Sequence, residues 1–217
     1  MIKKEDVMKL SCRQLDFAQE NPKGMAQILK QSNIIKGGFN KVTHEVCYSL
    51  AKGIVNYDDA KRLLEIRLRD TFKDNKANRR RRELCQIVLH NFYTFLIEEG
   101  LTCILNYSEI DLRLEDGHMI GGHTCAIFKD LNGNPVGVVL TDKEFDFGNT
   151  LRLPIEQYWI ARKMKASSPS VVKVFVYNTL DHSYNKPISF SDERIQYVLQ
   201  RCSEVITTVE IELKEIG

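Results

Sequence analysis

Between residues 73 and 82 the chain sets Lys73, Lys76, Arg79, Arg80, Arg81 and Arg82 against a single acid, Asp74. Cations at that density release the counterions of a nucleic-acid backbone, so one reading is a phosphate-contacting segment. The other is a solvated, charged lead-in to the helix that follows, since runs of this kind are common on ordinary surfaces. The remaining reactive side chains are dispersed. His44 and Glu45 lie beside an apolar stripe, a setting in which histidine more often has a structural than a catalytic role, and the same holds for the strand residue His123. The six cysteines, Cys12, Cys47, Cys85, Cys103, Cys125 and Cys202, include no Cys-x-x-Cys pair. They read as buried, reduced thiols, and neither a disulfide framework nor a zinc or iron–sulfur site is expected. Trp159 reads as a core residue rather than a base-stacking platform.

A chain of 217 residues with 43% hydrophobic content can bury a sizeable core. Its net charge of +2 gives no global attraction for a polyanion. Any nucleic-acid site must therefore come from local clustering. No apolar run approaches the roughly 20 residues needed to span a bilayer, and the Met-Ile-Lys-Lys-Glu start is not a signal peptide. The expectation is a soluble, cytoplasmic protein with no membrane partner.

The elements that must position these residues centre on positions 107–143. Residues 108–114 alternate charged and apolar side chains with the period of a half-buried strand. Glu115-Asp116-Gly117 is a turn. Residues 119–128 read as a second strand with Gly121-Gly122 inside it, and glycine there marks a bulge or a close backbone approach. Asn132-Gly133-Asn134-Pro135 closes the next hairpin. The wholly apolar residues 137–140 form a short buried strand, so the region is expected to fold as a three-strand meander.

Before it, residues 9–31 look helical with a break at Asn21-Pro22-Lys23-Gly24, and helices follow at 39–54, 58–72 and 83–99. The last carries Leu84, Cys85, Val88, Leu89, Phe92, Phe95 and Leu96 on one face, wide enough to dock on a sheet, and ends at Gly100. After it, a polar loop covers 144–149 and a helix covers 154–165 with Pro154 in its first turn. Residues 171–177 form a strand that 187–190 can join. Ser191 caps a helix to about Cys202, and 205–213 reads equally as strand or helix. The expected domain organisation is a helical N-terminal region over 1–100 and an α/β core over 101–217, together forming one unit.

In this order the signals resemble the RecB-type branch of the PD-(D/E)XK nuclease superfamily, which includes CRISPR-associated exonucleases and the nuclease domains of recombination helicases. Leu10-Ser11-Cys12-Arg13-Gln14-Leu15 is similar to the family's opening Leu-Ser motif, and Thr43-His44-Glu45 to its His-Glu-like helix motif. Gly100 and Glu109 are similar to its helix-ending glycine and strand-opening glutamate. The resemblance implies a restriction-endonuclease-like α/β core, a mixed central sheet flanked by helices. In that family a Gly-x-x-Asp and an Asp-x-Lys carry the chemistry: two acids hold Mg²⁺ or Mn²⁺ and the lysine orients the attacking water. Here the corresponding stretches are Gly121-Gly122-His123-Thr124 and Thr141-Asp142-Lys143, so Thr124 and Thr141 replace both acids while Lys143 remains. A neutral hydroxyl does not compensate a divalent cation. The family's next helix carries a Gln four residues before a Tyr, and Pro154 stands four before Tyr158 here.

Three functional readings follow. One is a nuclease-fold protein with lost or much reduced catalysis that holds DNA through Lys73, Lys76 and Arg79–Arg82, or serves as a subunit of a DNA-processing or defence assembly. A second is an active Mg²⁺- or Mn²⁺-dependent DNA exonuclease, its acids displaced, with Lys143, Glu109 and His44 as catalytic residues and Asp142, Glu144 and Asp111 as metal ligands. The third is a structural or regulatory protein without nucleic-acid contact.

Overall fold

The computed structural model describes residues 8–31, 39–105, 109–123, 125–141, 149–178, 181 and 183–216. The chain opens with a short strand, β1 (Lys9–Ser11), not foreseen from sequence, and two helices, α1 (Cys12–Glu20) and α2 (Pro22–Gln31). Ser11 and Gln14 form a capping box that turns the strand into α1, with Ser11 N–H donating to Gln14 Oε1 at 2.8 Å and Gln14 N–H to Ser11 Oγ at 3.3 Å. Helices α3 (Phe39–Ala51), α4 (Tyr57–Thr71) and α5 (Lys76–Glu98) follow. Asn56 and Asn75 cap α4 and α5 through their side-chain oxygens, at 2.9 Å in each case. Because Asn75 is the cap, Arg79–Arg82 belong to α5 itself, whose start lies seven residues before the expected position 83.

The strands are β2 (Thr102–Leu105), β3 (Glu109–Arg113), β4 (Met119–His123), β5 (Ala126–Lys129) and β6 (Pro135–Thr141). After them come α6 (Arg152–Met164), a 3₁₀ turn at Pro169–Val171, β7 (Lys173–Asn178) and α7 (Asp192–Ile216). Two mixed sheets result. One has the order β1-β4-β3, with β4 parallel to β1 and antiparallel to β3. The other has the order β2-β5-β6-β7, antiparallel except for the parallel β6–β7 pair. The architecture is thus mixed α/β.

The expected three-strand meander is corrected here: residues 119–128 are two strands serving different sheets. Gly122, with φ +103°, ends the regular course of β4, and the chain leaves β3 to pair with β2 and β6. The undecided segment 205–213 is helical, continuing α7 to Ile216, because Val205, Ile206 and Val209 extend the buried stripe of Ile195, Val198 and Cys202 at helical spacing. Ile188 makes only an isolated antiparallel bridge to Val174.

The four-stranded sheet is buried on both faces. Ala126, Phe128, Val136, Val138, Leu140, Phe175 and Tyr177 face the α3–α4–α5 layer, where Phe92 and Phe95 of α5 pack edge-on against Tyr177 and Phe175. Ile127, Val139, Val174 and Val176 face α6 through Leu153, Ile160 and Ala161. Leu84, expected on the docking stripe of α5, is instead 46% exposed; the buried face starts at Cys85. A third core joins Leu10, α1 and α2 to α7 and to Ile110, Leu112 and Ile120 of the three-stranded sheet. Residues 9–31 therefore add a strand and two helices to the packing of the C-terminal half.

Candidate nucleic-acid interface

Helix α5 presents its basic residues in its first two turns, where the unpaired N–H groups already carry partial positive charge. Basic residues there oppose the helix dipole, and no acid occupies the first turn. Asp74, just before the cap, offsets part of the repulsion. Its Oδ1 accepts from Arg79 Nε at 3.2 Å and from Arg82 Nη2 at 2.5 Å. Desolvation pushes the Asp74 carboxyl up, but the two guanidiniums together hold it below the usual carboxylate range. Arg81 lies over the Phe39 ring at 5.7 Å. Lys73, Lys76 and Arg80 are exposed. The cations lie beside an open groove of about 1020 Å³ between α4 and α5, which Lys61, Arg62 and Arg69 also line, with Asp58, Glu65, Asp74 and Glu83 as acids.

Of the residues expected to form a metal site, those described are divided between β3 and helix α3. Glu109 and Asp111 lie on the exposed face of β3. Glu109 pairs in register with His123, the last residue of β4. Asp111 accepts an ion pair from Lys9 Nζ at 3.0 Å across β4. To reach it the Lys9 side chain lies over Gly121, where a Cβ would stand 2.0 Å from Lys9 Cε. Thr141 is the half-buried last residue of β6, paired with Asn178 of β7. His44 is on α3 in the opposite helical layer, half-buried, beside Glu45, whose carboxylate takes Arg67 Nη2 at 2.7 Å. Lys143, Asp142, Glu144 and Thr124 lie outside the described residues. Among the described residues no three His, Cys, Asp or Glu side chains gather as a metal site.

The two sheets meet where the chain passes from His123 to Cys125, and a polar group absent from the sequence reading holds that corner. Glu156 of α6, 1% exposed, accepts from Cys125 N–H at 2.8 Å through Oε2 and from Arg152 Nε at 2.5 Å through Oε1. Burial would depress the Arg152 guanidinium, but Glu156 beside it more than reverses this and raises it. Asp16 of α1 supplies the cap that α6 lacks at Leu151, accepting from Leu151 N–H at 2.7 Å, Arg152 N–H at 3.2 Å and Thr150 Oγ1 at 3.2 Å. Burial pushes the Asp16 carboxyl above its usual range, against the downward pull of those hydrogen bonds. The sequence signal for Glu156 was an i, i+4 charge pair, Arg152 and Glu156, on the face of α6 shared with Leu153, Ile160 and Ala161.

All six cysteines are free. Burial raises every one of them, Cys103 to about 11 and Cys202 to about 12, so they remain protonated thiols at neutral pH and are poor nucleophiles. Among the described residues, no helix is long and apolar enough to cross a membrane.

No protein-family model matches the chain, and neither does any curated protein. A solved structure titled "Crystal structure of SSO0001" is similar to it at 9% identity, covering 88% of this chain and 84% of that one with a TM-score of 0.34. At that level of likeness neither fold nor function is transferred.

Proposed function

We propose that this chain binds DNA through the basic start of α5, on a RecB-like nuclease scaffold whose catalysis is lost or much reduced. The observation that carries the reading is the cluster itself: six cations against one acid, five of them in the first two turns of a 23-residue helix. A helix start already polarised positive adds to their field, and the one acid present, paired with Arg79 and Arg82, is itself exposed, where a phosphate can replace it. The sequence of one helix, three antiparallel strands, a helix and a parallel strand, traced by α5, β2, β5, β6, α6 and β7, supports the scaffold reading. Thr141 and Thr124, in place of two metal-holding carboxylates, support the loss of catalysis. Such a protein serves as a DNA-holding subunit of a DNA-processing assembly.

The test is DNA retention over a salt series, together with cleavage of linear single- and double-stranded DNA in Mg²⁺ or Mn²⁺. Retention with log affinity falling by about 0.9 per phosphate neutralised on duplex, lost when Arg79–Arg82 become Gln, and no cutting, is the expected result. Metal-dependent cutting abolished by Lys143→Ala would overturn the loss of catalysis. Salt-independent retention, or none, would overturn the DNA reading.

A further inference from the structure

Beyond the residues that line the groove, the seam between α4 and α5 carries an aromatic pair. Along α5, Arg79, Arg82, Gln86, His90 and Tyr93 follow one another at spacings of three and four, and so form one ridge. It spans about 21 Å at about 1.5 Å per residue. Helix α4 runs in the opposite direction alongside it, Gln86 Nε2 donating to Lys61 O at 3.2 Å. Its facing ridge is Arg69, Glu65, Lys61 and Tyr57. At the far end the Tyr57 and Tyr93 rings stack with centroids 4.4 Å apart and an interplanar angle of 10°. Tyr57 Oη bonds to His90 Nδ1 at 2.9 Å, and Lys61 Nζ lies 4.7 Å from the Tyr57 ring centroid. Both tyrosines are half-buried, and His90 is exposed.

A strip with arginines at one end and stacked aromatic rings at the other has the two chemistries that an unpaired nucleic-acid strand offers: a phosphate chain and free base faces. A duplex encloses its base faces and can use only the cationic end. All five cations lining the groove hold exposed partners: Lys61 with Asp58 at 2.9 Å, Arg62 with Asp59 at 4.0 Å, Arg69 with Glu65 at 2.5 Å, and Arg79 and Arg82 with Asp74. These pairs orient the cationic heads along the groove until a phosphate, itself a bidentate acceptor for arginine, replaces the carboxylate.

We propose that the α4–α5 groove is a single-stranded DNA site, in which Arg69, Arg79 and Arg82 meet phosphates and the Tyr57–Tyr93 pair stacks a base. The proposal rests on the DNA-binding reading above and specifies its substrate. It is tested by fluorescence anisotropy with a labelled oligo-dT of about 20 nucleotides, the duplex of the same length, and an oligomer carrying abasic sites. The single strand is expected to bind the intact protein more tightly than the abasic oligomer, by about 5- to 100-fold. Tyr93→Leu and Tyr57→Leu remove that difference, while leaving the duplex affinity and the salt slope as they were. Equal affinity of the intact protein for oligo-dT and the abasic oligomer overturns the proposal even if a tyrosine variant fails to fold. If Arg79→Gln with Arg82→Gln then still weakens duplex and single strand alike, the DNA-binding reading survives. If no DNA of any form is retained, both fall.

Discussion

Replacing Glu156 with Gln isolates the contribution of the corner between the two sheets. The carboxylate is 1% exposed and its Arg152 partner 12% exposed, so neither charge has water to fall back on. A glutamine keeps an acceptor for Cys125 N–H but leaves the guanidinium without its counter-charge. Removing one member of a buried ion pair costs about 3–5 kcal/mol. For a chain of this length each kcal/mol lowers the melting temperature by about 2–4 °C, so Glu156→Gln should melt roughly 6–20 °C below the parent. Arg152→Met should lose a comparable amount by stranding the carboxylate. The double variant, with no charge left and Cys125 N–H still satisfied, should recover most of the loss, a coupling that a double-mutant cycle reads directly. Thermal and urea unfolding of the four proteins suffice. If Glu156→Gln melted within about 2 °C of the parent, or if the double variant lost the sum of the singles, the pair would not be the pin described here.

Other predictions concern smaller sites. Gly122→Ala should cost about 1–3 kcal/mol in urea unfolding, because φ is +103° and a Cβ would meet Ser11 Cβ at 3.1 Å, whereas Gly121→Ala displaces the flexible Lys9 side chain from Cγ outward, with no backbone in the way, and should cost less, about 1 kcal/mol. Asp16, whose carboxyl is raised by burial, binds its proton more tightly folded than unfolded. Its contribution is fully present below the ordinary aspartate value and is lost as pH rises through the folded one. The stability of the parent relative to Asp16→Asn should therefore grow as pH falls from 7 toward 4, and a shrinking difference in urea midpoints would contradict it. Asp74→Asn should lower the melting temperature by no more than about 4 °C, free Arg79 and Arg82, and raise DNA affinity; unchanged or weaker anisotropy binding would refute this.

Much of the scaffold was legible in the chain itself. The α5 stripe from Cys85 onward, a helix beginning within two residues of Pro154, the Ser191 cap and the apolar residues of β7 are local signals, carried by spacing and capping chemistry within one turn or one strand. The strand expected from 171 nevertheless begins only at Lys173, because Pro169–Val171 forms a 3₁₀ turn. Local signals also placed the cations of residues 73–82 together, since neighbours in sequence need no tertiary fold to be neighbours in space. They did not place Asn75 as a cap, because an Asn before a run of arginines reads as readily as loop, and the helix is stabilised by the packing of Cys85, Val88 and Leu89 further along.

What the tertiary structure decided is which segments share a sheet and which charges share a pocket. Residues 119–128 look continuous in β-propensity, and only the competing demands of β1 and β3 on one side and β2 and β6 on the other divide them. Lys9 and Asp111 stand 102 positions apart, and Asp16 caps a helix that begins 136 residues later. Tyr57 and Tyr93 meet only because α4 turns back along α5. Pairings at such separations depend on loop closure and on burial that rewards it, and neither leaves a mark on the residues between.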